Sequence, residues 1–140
     1  MDMKLEVMVV PASDVERAKR FYQDLGWRLD ADIDRGANFH VVQLTPPGSA
    51  ASIHLGKGHT TAKPGSLPPP MLVVKDIEAA RTELVGHGVA VSDIFHALPG
   101  TAPEPGPEPA HASYQSYATF KDSEGNGWIL QEVRERLPGR

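Results

Sequence analysis

Among the side chains that can handle a proton or hold a metal, cysteine is absent. Its absence excludes disulfides, thiolate metal sites and thiol nucleophiles. Six histidines remain. His54 lies between Ile53 and Leu55, so on a strand it faces opposite to both. With those two in a core, its imidazole is offered on an open sheet face as a polar anchor or general base. His40, between Phe39 and Val41, is placed similarly. Near the C-terminus, alternation puts Gln131 on the face of Ile129, and Glu132 on the face of Trp128 and Leu130, buried or peripheral. Tyr114 and Tyr117 follow a proline-rich run, where aromatic rings can stack on a ligand.

Other signals fail on inspection. Asp30, Asp32 and Asp34 resemble the start of a calcium loop, but its sixth position is Arg35 and its twelfth Val41, so a solvated strand edge is expected. Gly56-Lys57-Gly58 does not open a helix and cradles no phosphate. No Gly-x-Ser-x-Gly elbow exists, which leaves nucleophilic hydrolysis unsupported. The net charge of −4 with no basic run argues against nucleic acid. Charges interrupt the apolar residues of the N-terminus, and no apolar stretch approaches the roughly 20 residues of a membrane span. A cytoplasmic protein with no membrane partner is expected.

The elements that must position these residues come in two similar halves. A constant offset of 62 maps Asp14 onto Asp76, Glu16 onto Glu78, Ala18 onto Ala80 and Gly26 onto Gly88. Each half opens with an apolar strand and then a helix. Ser13 with Glu16 reads as a capping box, and Asp76 as a simple cap. Gly26 and Gly88 fit the left-handed residue that ends a helix. Strand-like runs follow at 27–33, 38–45 and 52–56, then at 89–96, 114–121 and 127–133. The order is βαβββ, twice. The proline run at 99–109 is expected to be neither helix nor paired strand, but a long surface loop. Unit one is expected at about 4–60, a linker at 61–70 and unit two at about 71–134, all in one domain.

This pattern resembles the vicinal oxygen chelate superfamily, which includes glyoxalase I, bleomycin-resistance proteins and extradiol dioxygenases. The residues carrying the resemblance are Val-Pro-Ala-Ser-Asp-Val-Glu-Arg-Ala-Lys-Arg-Phe-Tyr at 10–22 with Leu25-Gly26, and Lys-Asp-Ser-Glu-Gly-Asn at 121–126. It implies an α+β fold whose two βαβββ units form a curved mixed sheet around a central cup. Enzymes of the family hold a divalent metal there as a Lewis acid. The positions it implies as ligands fall on Val7, His54, Pro69 and Ile129, and only His54 can donate a lone pair. The resemblance thus implies a degenerate metal site and no cofactor. The cup would be lined by Val7, Ile129, His54, Gln131, His40 and Tyr117, and would bind a small molecule such as an antibiotic or metabolite. The alternative is a metal-dependent lyase, isomerase or dioxygenase with ligands shifted to His40, His54, Gln131 and Glu132, or metal-free acid–base chemistry by His54. A homodimer is expected by resemblance to the family.

Overall fold

The computed structural model describes residues 1–140. They fall into two compact units, one of residues 1–67 with 122–126, the other of residues 68–121 with 127–140. The first unit runs β1 (Val7–Pro11), α1 (Val15–Asp24), β2 (Arg28–Asp34), β3 (His40–Thr45) and β4 (Ser52–Lys57). The second runs β5 (Met71–Val74), α2 (Ile77–Gly86), β6 (Phe95–His96), β7 (Glu104–Pro105), β8 (Ser116–Lys121) and β9 (Gly127–Glu132). Each unit has one mixed sheet, ordered β1-β4-β3-β2 and β5-β9-β8-β6-β7. The first strand of each lies parallel to the last, and the other pairs are antiparallel. The fold is therefore α+β, as expected.

Helix α1 buries Val15, Ala18 and Tyr22, the spacing of one helical face. They pack with Val42, Leu44 and Leu55, which are fully buried and share one face of the first sheet. Strands β3 and β4 approach closely at Gly56, where a Cβ would run into the His40 carbonyl oxygen and lie 2.8 Å from Val41 Cα. The core of the second unit gathers Ile77, Ala118, Phe120, Trp128 and Leu130. Gly26 and Gly88 both take positive φ just past their helices, at 85° and 83°.

Three details differ from expectation. The cap of α1 is Asp14, whose side chain accepts from the Arg17 amide at 3.1 Å. Ser13 is drawn away: its amide and hydroxyl both donate to Glu124, at 2.9 and 2.8 Å. The strand expected at 89–96 shrinks to Phe95–His96 and one bridge at Val91. There Ser92 interrupts the ladder, because its hydroxyl takes the Thr119 amide and its carbonyl takes Arg81 Nε. The proline run contains a paired segment after all, since Glu104–Pro105 pairs with β6. Strand β7 is the sheet edge, where a residue lacking an N–H is tolerated.

The segment 122–126 belongs to the first unit through a dense polar knot. Asp122, buried, accepts from the Tyr22 hydroxyl at 2.6 Å, Asn126 Nδ2 at 3.0 Å, and the Glu124 and Asn126 amides at 2.9 Å each. Asn126 Nδ2 also donates to the Pro11 carbonyl, and Asn126 Oδ1 accepts from the Gly65 amide.

Candidate functional site

Each sheet has one face covered by its helix and one free of it. Residues paired across neighbouring strands share a face, and residues two apart on a strand do too. Val9, His54 and Gln43 are paired across β1, β4 and β3, on the face opposite to Leu55 and Val42. Val7, two residues before Val9, joins them. His54 Nε2 lies 3.0 Å from Gln43 Oε1. With the amide oxygen accepting, Nε2 holds the proton and Nδ1 keeps its lone pair. Farther along the same face, Thr45 and Ser52 share a 2.7 Å hydrogen bond, and the Thr45 hydroxyl also donates to Asp30. The Thr45 hydroxyl and then Arg28 hold the Asp30 carboxyl below the usual carboxylate range.

In the second unit, Ile129 pairs with Met71 and Thr119, while Gln131 pairs with Val73 and Tyr117. This face too lies opposite to the buried Leu130 and Ala118. Gln131 Nε2 donates to the Tyr114 carbonyl at 3.2 Å and the Tyr117 hydroxyl oxygen at 3.3 Å, and the Tyr117 hydroxyl donates to that same carbonyl at 2.8 Å. The Tyr117 ring stacks on Phe95 at 5.6 Å. A polar cluster therefore stands beside an aromatic pair, next to Met71 and Val73, which are 54% and 44% exposed. The offset that maps Asp14 onto Asp76 also maps Val9 onto Met71. Their partners on the last strands are His54 and Ile129, so the register makes these two positions equivalent.

His40 is not on the face of His54. It alternates in phase with Val42 and Leu44, so it is buried on the helix side of the first sheet. There Nε2 lies 2.7 Å from Asp32 and 3.8 Å from Glu16 of α1. Glu132 is fully buried on the helix side of the second sheet, accepting from the Ile77 amide at 3.0 Å and His111 Nδ1 at 2.9 Å. The four residues expected as shifted metal ligands thus split between opposite faces of each sheet.

A different trio does come together: one ligand atom each from Glu16, Asp32 and His40, all within 4.8 Å of one another. An ammonium already serves this group. Lys19 Nζ lies 2.8 Å from Asp32 and 2.9 Å from Glu16. The bonds with Lys19, and after it His40, hold the Asp32 carboxyl below its ordinary value; Asp32 and then Glu16 raise the Lys19 ammonium above its own. As built, the trio is a clasp that fastens β2 and β3 to α1. A lowered carboxyl stabilises the fold above its unfolded value of about 3.8, and this contribution disappears as pH falls through the folded value. A raised ammonium loses its contribution only above 10.5. In urea unfolding, Asp32→Asn is therefore expected to cost about 1 kcal/mol at neutral pH and progressively less below pH 4, until the two proteins converge. A difference that persists at pH 2 would contradict this assignment.

Sequence reasoning missed several of these groups. Gln43 could have been found, since it alternates with Val42 and Leu44. Thr45, Ser52 and His111 left no local signal, because their partners lie on other elements.

The chain resembles known proteins along nearly its whole length. The profile of the family described as bleomycin resistance protein-like N-terminal matches residues 8–44. A search of curated protein sequences finds no match. Among solved structures, TnmS3, an antibiotic binding protein from Streptomyces sp. CB03234, is 30% identical, with 94% of this chain and 97% of that chain covered and a TM-score of 0.71. A glyoxalase/bleomycin resistance protein from the same organism is 31% identical over 92% of this chain and all of its own, with a TM-score of 0.68. A member of the glyoxalase/bleomycin resistance protein/dioxygenase superfamily from Sphaerobacter thermophilus is 27% identical over 94% and 98%, again at 0.68.

Proposed function

The chain belongs to the glyoxalase and bleomycin-resistance family of the vicinal oxygen chelate superfamily, and from that premise we propose that it binds a small molecule, with a natural-product antibiotic or related metabolite as the ligand class. The observation that carries this reading is the character of the helix-free faces. Val9, Met71 and Val73 are left 41%, 54% and 44% exposed there. Beside them stand a few oriented polar groups, among them His54 with Gln43 and Gln131 with Tyr117. Apolar walls with a small number of placed polar groups are the ordinary make-up of a small-molecule site. In this reading Val7 supplies apolar contact and His54 orients a ligand on the face of the first unit, while on the face of the second Ile129 supplies apolar contact, Gln131 orients a ligand and Tyr117 stacks on it. The antibiotic-binding relative supports the ligand class.

The residues present do not fit the family's metal. Val7, Pro69 and Ile129 have no lone pair to give. His54, the remaining position, is a single donor, and one histidine alone does not make a metal site. The metal site is degenerate in this reading, and no step of the function runs through it.

Thermal-shift screening against a panel of structurally diverse natural-product antibiotics tests the proposal. At least one compound is expected to raise Tm, and calorimetry on that compound is expected to show about tenfold weaker binding for His54→Ala or for Gln131→Ala, according to the face it occupies. Prior treatment with a chelator should leave the affinity unchanged. A panel with no binder, or binding that survives both substitutions, would overturn the proposal. Binding abolished by the chelator would overturn the degenerate metal site.

A further inference from the structure

The helix-free face of the first unit carries a one-way chain of polar contacts that ends on an unused lone pair. Its origin is a β-bulge. Strands β2 and β3 pair Leu29 with Leu44 and Ala31 with Gln43, which leaves Asp30 as an extra residue where the register shifts. Bulges re-aim side chains. The Asp30 carboxylate meets the Thr45 hydroxyl, which donates to it, and Arg28 Nε at 2.6 Å. After these two, the Gln43 side chain also helps to hold the Asp30 carboxyl low.

The direction of the chain follows from what each group can do. A carboxylate only accepts, so the Gln43 amide assists it through its N–H groups. That turns Gln43 Oε1 to the other side, where His54 Nε2 lies 3.0 Å away. An amide oxygen only accepts as well, so the imidazole proton sits on Nε2 and Nδ1 is a lone pair. No group of the protein donates to it. The other polar contact of His54 is its backbone carbonyl, which accepts from His59 Nε2. Nor is Nδ1 sealed in the core, since the buried side-chain atoms without a partner are His59 Nδ1 and Ser123 Oγ. The surroundings are apolar: Val9, paired with His54, is 41% exposed, and Val7 precedes it by two residues. A half-buried imidazole held in one tautomer thus presents a single acceptor beside an apolar surface.

We propose that this face selects ligands that carry an N–H or O–H donor on an apolar frame, with His54 Nδ1 as the acceptor and Gln43 and Asp30 as the residues that position it. The inference rests on the small-molecule reading above and narrows it to one polarity. A ligand without a donor, laid against Val7 and Val9, takes water from the lone pair and returns nothing, so it forfeits the desolvation of that acceptor.

The test uses the full chain with two probes of one shape: indole, which has an N–H, and benzofuran, which has an oxygen in its place. Long-range ¹H–¹⁵N spectra, recorded where imidazole is uncharged, read His54 directly. The proton is expected on Nε2 in the wild type. In Gln43→Leu, its fold checked by circular dichroism, both tautomers are expected. By calorimetry indole should bind with a Kd of about millimolar, and benzofuran about tenfold more weakly. Indole should move the Nδ1 resonance upfield, and benzofuran should leave it in place. His54→Ala is expected to bring the two probes within about twofold of each other, and Gln43→Leu to shrink the preference to about threefold. A wild-type proton on Nδ1, or a tautomer unmoved by Gln43→Leu, overturns the proposal. Equal affinities for the two probes also overturn it, while the small-molecule reading stands. Absence of binding by both overturns it too, and that reading falls with it only if the antibiotic panel yields no binder either. If Gln43→Leu fails to fold, Asp30→Asn decides. An amide at that position donates as well as accepts, so Gln43 is free to turn and the Nδ1–H tautomer should appear; an unmoved tautomer overturns the proposal.

Discussion

Asp122→Ala is expected to lower the stability of the protein by about 4 kcal/mol and its Tm by roughly 10 °C. The carboxylate is buried and receives four donors, the Tyr22 hydroxyl, Asn126 Nδ2 and the amides of Glu124 and Asn126. Truncation leaves buried donors facing a hole, which costs more than the bonds contributed. The damage spreads, because the same turn sets two further contacts. Asn126 ties the ends of β1 and of the segment near Gly65 together, and Glu124 collects the Ser13 amide, the Ser13 hydroxyl and the Asp14 amide at the head of α1. A carboxylate there also opposes the positive end of the helix dipole. Tyr22→Phe removes one of the four donors and should cost only about 1 kcal/mol. Urea unfolding of wild type, the two single variants and the double variant measures the coupling. A loss below 1 kcal/mol for Asp122→Ala would show that the turn is ornamental and that the first unit holds without it.

Much of this architecture was legible, and the reasons are local. The offset between Asp14 and Asp76 marks two copies of one plan, and apolar alternation in 52–56 and 127–133 locates the closing strands of both. The buried place of Glu132 followed from its phase with Trp128 and Leu130. His40 shows where alternation misleads: its phase was read against Phe39 and Val41, although the fully buried Val42 and Leu44 carry the helix-facing signal. The proline run hid a two-residue strand because pairing at a sheet edge needs no donor from Pro105. What no local pattern discloses are contacts across 100 residues or more, such as Tyr22 with Asp122 and Ser13 with Glu124. Those decide that a turn late in the chain completes the first unit.

Glu132→Ala is the second change of large expected effect, at about 3–5 kcal/mol. The carboxylate is fully buried on the helix side of β9. It accepts from the amide of Ile77, the first residue of α2, and from His111 Nδ1, with Arg134 Nε 3.6 Å away. Each unit thus has a carboxylate from the far end of the chain seated at the N-terminus of its helix, where partial positive charge favours it. Removing Glu132 strips the head of α2 of that partner and releases His111, whose backbone is held at a φ of 52°. A non-glycine residue keeps such a conformation only when its surroundings impose it. Two further variants separate these contributions. Glu132→Gln retains an acceptor for the Ile77 amide but drops the charge, and should fall between wild type and alanine. His111→Gly loses the imidazole and relieves the backbone, so it should cost less than His111→Ala by about 1 kcal/mol. Hydrogen exchange gives the local readout, with the Ile77 amide expected to lose protection in Glu132→Ala beyond the drop in global stability. If Glu132→Gln unfolds at the same urea concentration as wild type, the charge of the buried carboxylate contributes nothing, and its electrostatic role at the helix N-terminus fails.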